Sequence, residues 1–239
     1  MGLEQAHAFI GCHLRPAAAP LPRLRMAVTI SRQAGAGAWI VARELAARLD
    51  QCAPAGEVKW TVFDKELVEH VLDDHNLPKK LVSFMPEDRV SMLDDMVTEL
   101  LGLHPPSWNL ARATSDTILR LAAVGNVILI GRGANVITMK LPHMVHVRLV
   151  GSQEVRIQRV MEYLKLERRA AVEFVEKADR GHNRYLREHF KAEIDNPLLY
   201  DLIINTDRVA CERAAELIAD VLLRRMAALE AKQSSAADA

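Results

Sequence analysis

The chain has 239 residues, 50% of them hydrophobic and 26% charged, which suits one globular α/β domain with a sizeable core. Basic and acidic residues balance at 31 each, so there is no overall basic field to attract a nucleic-acid backbone. No apolar run approaches the roughly 20 residues that cross a bilayer, and the scattered cysteines Cys12, Cys52 and Cys211 fit neither a disulfide frame nor a zinc site.

Residues 1–25 carry Pro16, Pro20 and Pro22 and read as an irregular arm. The arm lacks the basic-then-apolar pattern of a secretory signal. With three cysteines, scattered and odd in number, this points to a reducing cytoplasm.

The stretch Met26–Leu49 organises the rest. Ala27–Ile30 is a short β-branched apolar run, hence a buried strand. A small-residue loop follows, with Gly35, Ala36, Gly37 and Ala38, and from Trp39 the pattern turns helical, with Val41, Leu45 and Leu49 on one face. Strand, small-residue loop and helix can aim backbone amides and a positive helix end at a phosphate. A full phosphate loop ends in Gly-Lys-Ser/Thr. Here Ala38 and Trp39 follow Gly37, so the lysine and the hydroxyl are missing. Small residues also let a helix start close to a sheet, and both readings stand at this point.

Trp60–Phe63 is the second strand candidate. Asp64 follows at once, either as a helix N-cap or as a ligand contact at the sheet edge. A helix is expected over 65–73. Residues 74–125 read as an irregular helical insertion, closing with a helix over 113–124. Val127–Ile130 is a third strand, fully apolar as in a parallel sheet. It runs directly into Gly131-Arg132-Gly133, and an arginine between glycines at a strand end suits a phosphate or carboxylate.

Met144–Val150 is the fourth strand, and Ser152 is placed to cap the helix that follows. After a charged joint at 165–169, helix resumes. Arg180, Arg184 and Arg187 stand at i, i+4 and i+7, so they share one helix face. That face is either solvated and paired with Glu176 and Glu188 or a cationic comb over phosphates. Leu202–Ile204 is the fifth strand, with Thr206 just beyond it. A last helix spans 210–229 with Ala214, Leu217, Ile218, Val221 and Leu222 buried, and the residues from 230 on read as a disordered tail.

Strands alternating with helices predict a doubly wound parallel sheet, in which ligands bind beyond the carboxyl ends of the strands. The small-residue loop, Asp64, Arg132 and Thr206 all fall on that edge.

These residues make the chain resemble the cytidylate kinase-like family, relatives of bacterial cytidylate kinase. The landmarks are ITISRQ with its glycine loop, FDKELV at 63–68, VILIGRGA at 127–134, DRGHNRYLREHF at 179–190 and DNPLLYDLIINTD at 195–207. The resemblance implies a P-loop NTPase-like three-layer αβα fold over 26–229. It implies a five-stranded parallel core, a nucleoside monophosphate-binding insertion at 74–125 and a lid at 165–195. It further implies ATP phosphates on Gly35, Ala36, Gly37, Ala38 and Trp39, and nucleoside monophosphate contacts from Asp64 and Arg132. Arg180 and Arg184, with Arg187 a weaker candidate, become catalytic lid arginines. The implied reaction is ATP plus CMP giving ADP plus CDP, with Mg²⁺ bridging the phosphates. The expected partners are a nucleoside monophosphate and, left open, a second copy of the chain, but no nucleic acid or membrane. Two alternatives stand beside it: a non-catalytic nucleotide sensor with a degenerate loop, and a kinase of another small acceptor.

Overall fold

A computed structural model of the chain describes residues 25–54, 56–64 and 109–237. The N-terminal arm, the helix expected at 65–73 and the insertion up to residue 108 lie outside these.

Five strands form one sheet in the order β2-β3-β1-β4-β5. They are β1 (Ala27–Arg32), β2 (Thr61–Phe63), β3 (Val127–Ile130), β4 (Met144–Val150) and β5 (Leu202–Asn205). Every pairing is parallel, with Ile30 opposite Ile130 on one side of β1 and opposite Val147 on the other. The first four strands are buried nearly throughout, as a sheet covered on both faces requires. β1 reaches two residues past the apolar run, because Ser31 and Arg32 still pair with β4.

One face is covered by α1 (Ala38–Cys52) and α6 (Cys211–Ala237). Val41, Leu45 and Leu49 of α1 and Ile218 and Leu222 of α6 pack there on Val28, Ile30, Val145 and Val147. In α6, Ala214, Ala215, Ile218, Ala219 and Leu222 are buried while Leu217 is exposed. The buried stripe is therefore rotated from the expected one, with alanines at 215 and 219 replacing Leu217 and Val221 at the tight contact. The helix also continues past Lys232, where composition suggests a disordered tail.

The other face carries α2 (Asn109–Val124) and the short α3 (Ala134–Ile137). After β4 come α4 (Gln153–Leu164) and α5 (Arg168–Phe190). They join at Lys165, whose left-handed backbone turns the chain sharply. Ser152 holds the N-cap position of α4, but its hydroxyl caps nothing; its amide donates to Asp207 Oδ2 at 2.8 Å. Among the described residues no helix is long and apolar enough to cross a membrane.

Candidate functional site

β1 lies at the centre of the sheet, between β3 and β4, so the loops leaving β1 and β3 flank one crevice at the carboxyl edge. After β3 the backbone turns through three consecutive left-handed residues: Gly131 (φ 81), Arg132 (φ 55) and Gly133 (φ 69). For arginine this conformation costs about 1 kcal/mol or more, and such strain collects at functional sites. Glycine is needed beside it, since a Cβ on Gly133 would stand 2.5 Å from the Phe190 ring.

A cleft of ≈ 480 Å³ opens here, lined by Ser31, Arg32, Arg132, Lys177, His182 and Tyr185 among others. The Arg132 guanidinium lies 5.6 Å from the centre of the Tyr185 ring. Arg32 is partly buried, and its side chain makes no hydrogen bond or ion pair among the described residues. Burial and the neighbouring Arg132 both lower its pKa, opposed by the charges of Asp179 and Asp64. His182 is pushed down to about 4 by burial and by Arg32, Arg148 and Arg132, against the pull of Asp179, so it is neutral near pH 7. Its Nδ1 is buried and has no partner among the described residues.

The small-residue loop lies beside this cleft and is closely packed. Gly37, at φ 81, is the N-cap of α1. A Cβ on Gly35 would stand 2.4 Å from the carbonyl oxygen of Arg156, so only glycine lets α4 approach. Ala34, Ala36 and Ala38 are buried. The Ala34 amide donates to Asp179 Oδ1 at 2.7 Å, and its carbonyl accepts from Arg156 Nη1 at 2.9 Å. Among the described residues, no group accepts from the amides of Gly35, Gly37, Ala38 or Trp39. These donors cluster at the positive end of α1 and can hold an anion. The Trp39 ring is partly buried against the core between α1 and the sheet.

A family model for the cytidylate kinase-like family matches residues 27–208. The chain belongs to the cytidylate kinase-like family. The match takes in every strand, the small-residue loop, the Gly131–Gly133 turn and α5. No curated protein matches the chain. An uncharacterized protein from Eubacterium ventriosum is 19% identical, covers 83% of this chain and 98% of its own, and superposes with a TM-score of 0.64, which shows a shared fold. Shikimate kinase from Acinetobacter baumannii, in complex with shikimate, is 14% identical over 84% of this chain and 95% of its own. It superposes with a TM-score of 0.43.

Within this kinase-like fold the structure brings together only part of the set that the resemblance implies. Asp64 and Arg132 follow the carboxyl ends of β2 and β3, on the same sheet edge as the Gly35–Ala38 loop after β1, and the charge of Asp64 acts on Arg32. Arg180, Arg184 and Arg187 do not join them: all three are exposed. Arg180 lies 3.5 Å from Glu176, and Arg187 makes a two-pronged bond to Glu193 rather than meeting Glu188. The inner side of α5 instead presents Asp179, His182 and Leu186. Thr206 is buried and tied to Arg159 and to the Val150 carbonyl, which is a structural role. Arg32 is the residue that sequence reading missed. The available signal was a charged residue ending an apolar strand at the carboxyl edge.

Proposed function

We propose that this protein is an ATP-dependent phosphotransferase of the cytidylate kinase type, acting on CMP or a related nucleoside monophosphate. The observation that carries the reading is Arg32. A desolvated guanidinium beside a second one, with no ion-pair partner among the described residues, is an unfavourable arrangement until an anion enters. A phosphate monoester supplies that anion. Arg32 and Arg132 then hold the acceptor phosphate, while the amides of Gly35, Gly37, Ala38 and Trp39 hold the phosphates of ATP. Transfer of this kind needs little more than positioning and charge compensation.

The residues fit ATP phosphates through backbone amides. Mg²⁺ fits as a ligand of the nucleotide itself, since Ala38 and Trp39 offer it no side-chain oxygen. Among the described residues no cluster of three metal-ligating side chains occurs. Magnesium, when bound, would neutralise charge on the transferring phosphoryl group.

A second reading, a nucleotide sensor without turnover, is favoured by one observation: Ala38 stands at the position of the loop lysine. A coupled assay for ADP across nucleoside monophosphates, with and without Mg²⁺, decides between them when run beside calorimetric titration of ATP. Magnesium-dependent ADP formation with CMP or another monophosphate supports the kinase. Nucleotide binding without turnover supports the sensor, and no binding overturns both.

A further inference from the structure

Asp179 closes a ring of charge-assisted hydrogen bonds on the small-residue loop. Its Oδ1 accepts from the Ala34 amide at 2.7 Å and its Oδ2 from Arg156 Nη1 at 2.7 Å. Arg156 Nη1 returns to the Ala34 carbonyl at 2.9 Å, and Nε donates to the Gly151 carbonyl at 3.0 Å. The Arg156 side chain is 7% exposed, so it requires a counter-ion. Asp179 supplies one from the site's rim, with a side chain 27% exposed. A loop amide and a buried guanidinium converging on two oxygens is the geometry of an oxyanion site. Its present occupant is the chain's own carboxylate.

α5 is built unevenly around this contact. Its first half is anchored by Ala171 and Val175 packed on Ile157 and Val160 of α4. Gly181 follows Asp179 by two residues and sits in mid-helix with nothing within 4 Å of where a Cβ would stand. No packing demands that glycine, and it weakens the helix by about 1 kcal/mol against alanine.

We propose that the Ala34 amide and the Arg156 guanidinium form a phosphoryl-oxygen site, and that Asp179 is its resident competitor. A nucleotide phosphate displaces the carboxylate, takes over Arg156 and releases the part of α5 beyond Asp179 from the loop. This rests on the nucleotide-binding reading above. Arg156 thereby becomes the loop's cation in a chain whose loop carries none. Displacement is feasible, because one anion replaces another on the same guanidinium and the Asp179 side chain lies next to solvent.

The test is calorimetric titration of ATP, and separately of tripolyphosphate, into the wild-type chain, Asp179→Asn and Asp179→Ala. Losing the competitor tightens binding of both probes by about tenfold or more in each variant. Equal or weaker binding in folded variants, with the wild type binding normally, overturns the competitor and leaves the nucleotide reading intact. Binding by none of the three proteins overturns both. Hydrogen exchange on the wild type needs no variant: tripolyphosphate speeds exchange at residues 180–190 if Asp179 is displaced. Unchanged or slower exchange there at saturating probe overturns the proposal.

Discussion

The Arg32 guanidinium lies against the backbone of Gly131, so close that a Cβ added there would stand 2.1 Å from Nη1. Gly131 also holds φ 81, which a side chain resists. Two unrelated demands thus fall on one residue. Gly131→Ala is expected to destabilise the chain by roughly 1–3 kcal/mol in denaturant titration. It also pushes Arg32 out of the cleft, so affinity for a nucleoside monophosphate falls with it. Retained affinity with full stability would show that Arg32 is not held there by Gly131.

The exposed arginines of α5 make a contrasting prediction. Arg180 and Arg187 spend their charge on Glu176 and Glu193 at the surface, where such pairs contribute little. Arg180→Ala, Arg184→Ala and Arg187→Ala are each expected to leave kcat/KM within about twofold of the wild type, well under the tenfold that 1.4 kcal/mol produces. A loss of about a hundredfold in any of them would place that arginine on the transferring phosphoryl group, where the family resemblance puts it.

Two imidazoles, buried His146 and half-buried His182, set the acid limb of stability. His146 and His182 are each pushed down to about 4, in both cases chiefly by burial. For His146 the charge of Asp201 opposes the shift and Arg225 adds to it, while Thr29 Oγ1 lies 2.8 Å from its Nδ1. Around His182 stand Arg32, Arg148 and Arg132, with Asp179 opposing. A histidine whose folded pKa lies below its unfolded value contributes no penalty above about pH 6.5. The penalty grows as pH falls towards 4 and reaches at most about 3 kcal/mol per group. Stability measured by urea titration therefore drops between pH 6.5 and 4. His182→Gln removes part of that slope without breaking any hydrogen bond present among the described residues. An unchanged slope in His182→Gln would mean the imidazole is solvated and titrates normally.

The sheet was legible because its strands are short apolar runs bounded by turn residues. Val127–Ile130 and Met144–Val150 match the structure residue for residue. Arg32 escaped notice because hydrophobicity marks where an apolar run ends, not where pairing ends. Ser31 and Arg32 stay in register with Arg148 and Leu149, which carries the strand to the crevice. α5 shows a different limit. Periodicity shows that Arg180, Arg184 and Arg187 share a face, but not which face turns inward. That choice is made by Asp179 on the Ala34 amide and by buried Leu186, contacts that span the fold. The sequence of the glycine loop fits either a cradle or a packing device, and the folded loop has features of both. Gly35 meets the Arg156 backbone, while four amides at the start of α1 find no acceptor among the described residues.

The central claim is that Arg32 receives an anionic acceptor, and phosphoryl transfer from ATP to a panel of nucleoside monophosphates tests it most directly. The wild type and Arg32→Ala are assayed with Mg²⁺, and thermal unfolding is followed in parallel. Arg32→Ala is expected to lose about 10²-fold or more in kcat/KM, with an unfolding temperature equal to or above the wild type's, because a desolvated charge beside Arg132 has been removed. Undiminished transfer by Arg32→Ala, or a loss of transfer matched by a loss of folding, would contradict it.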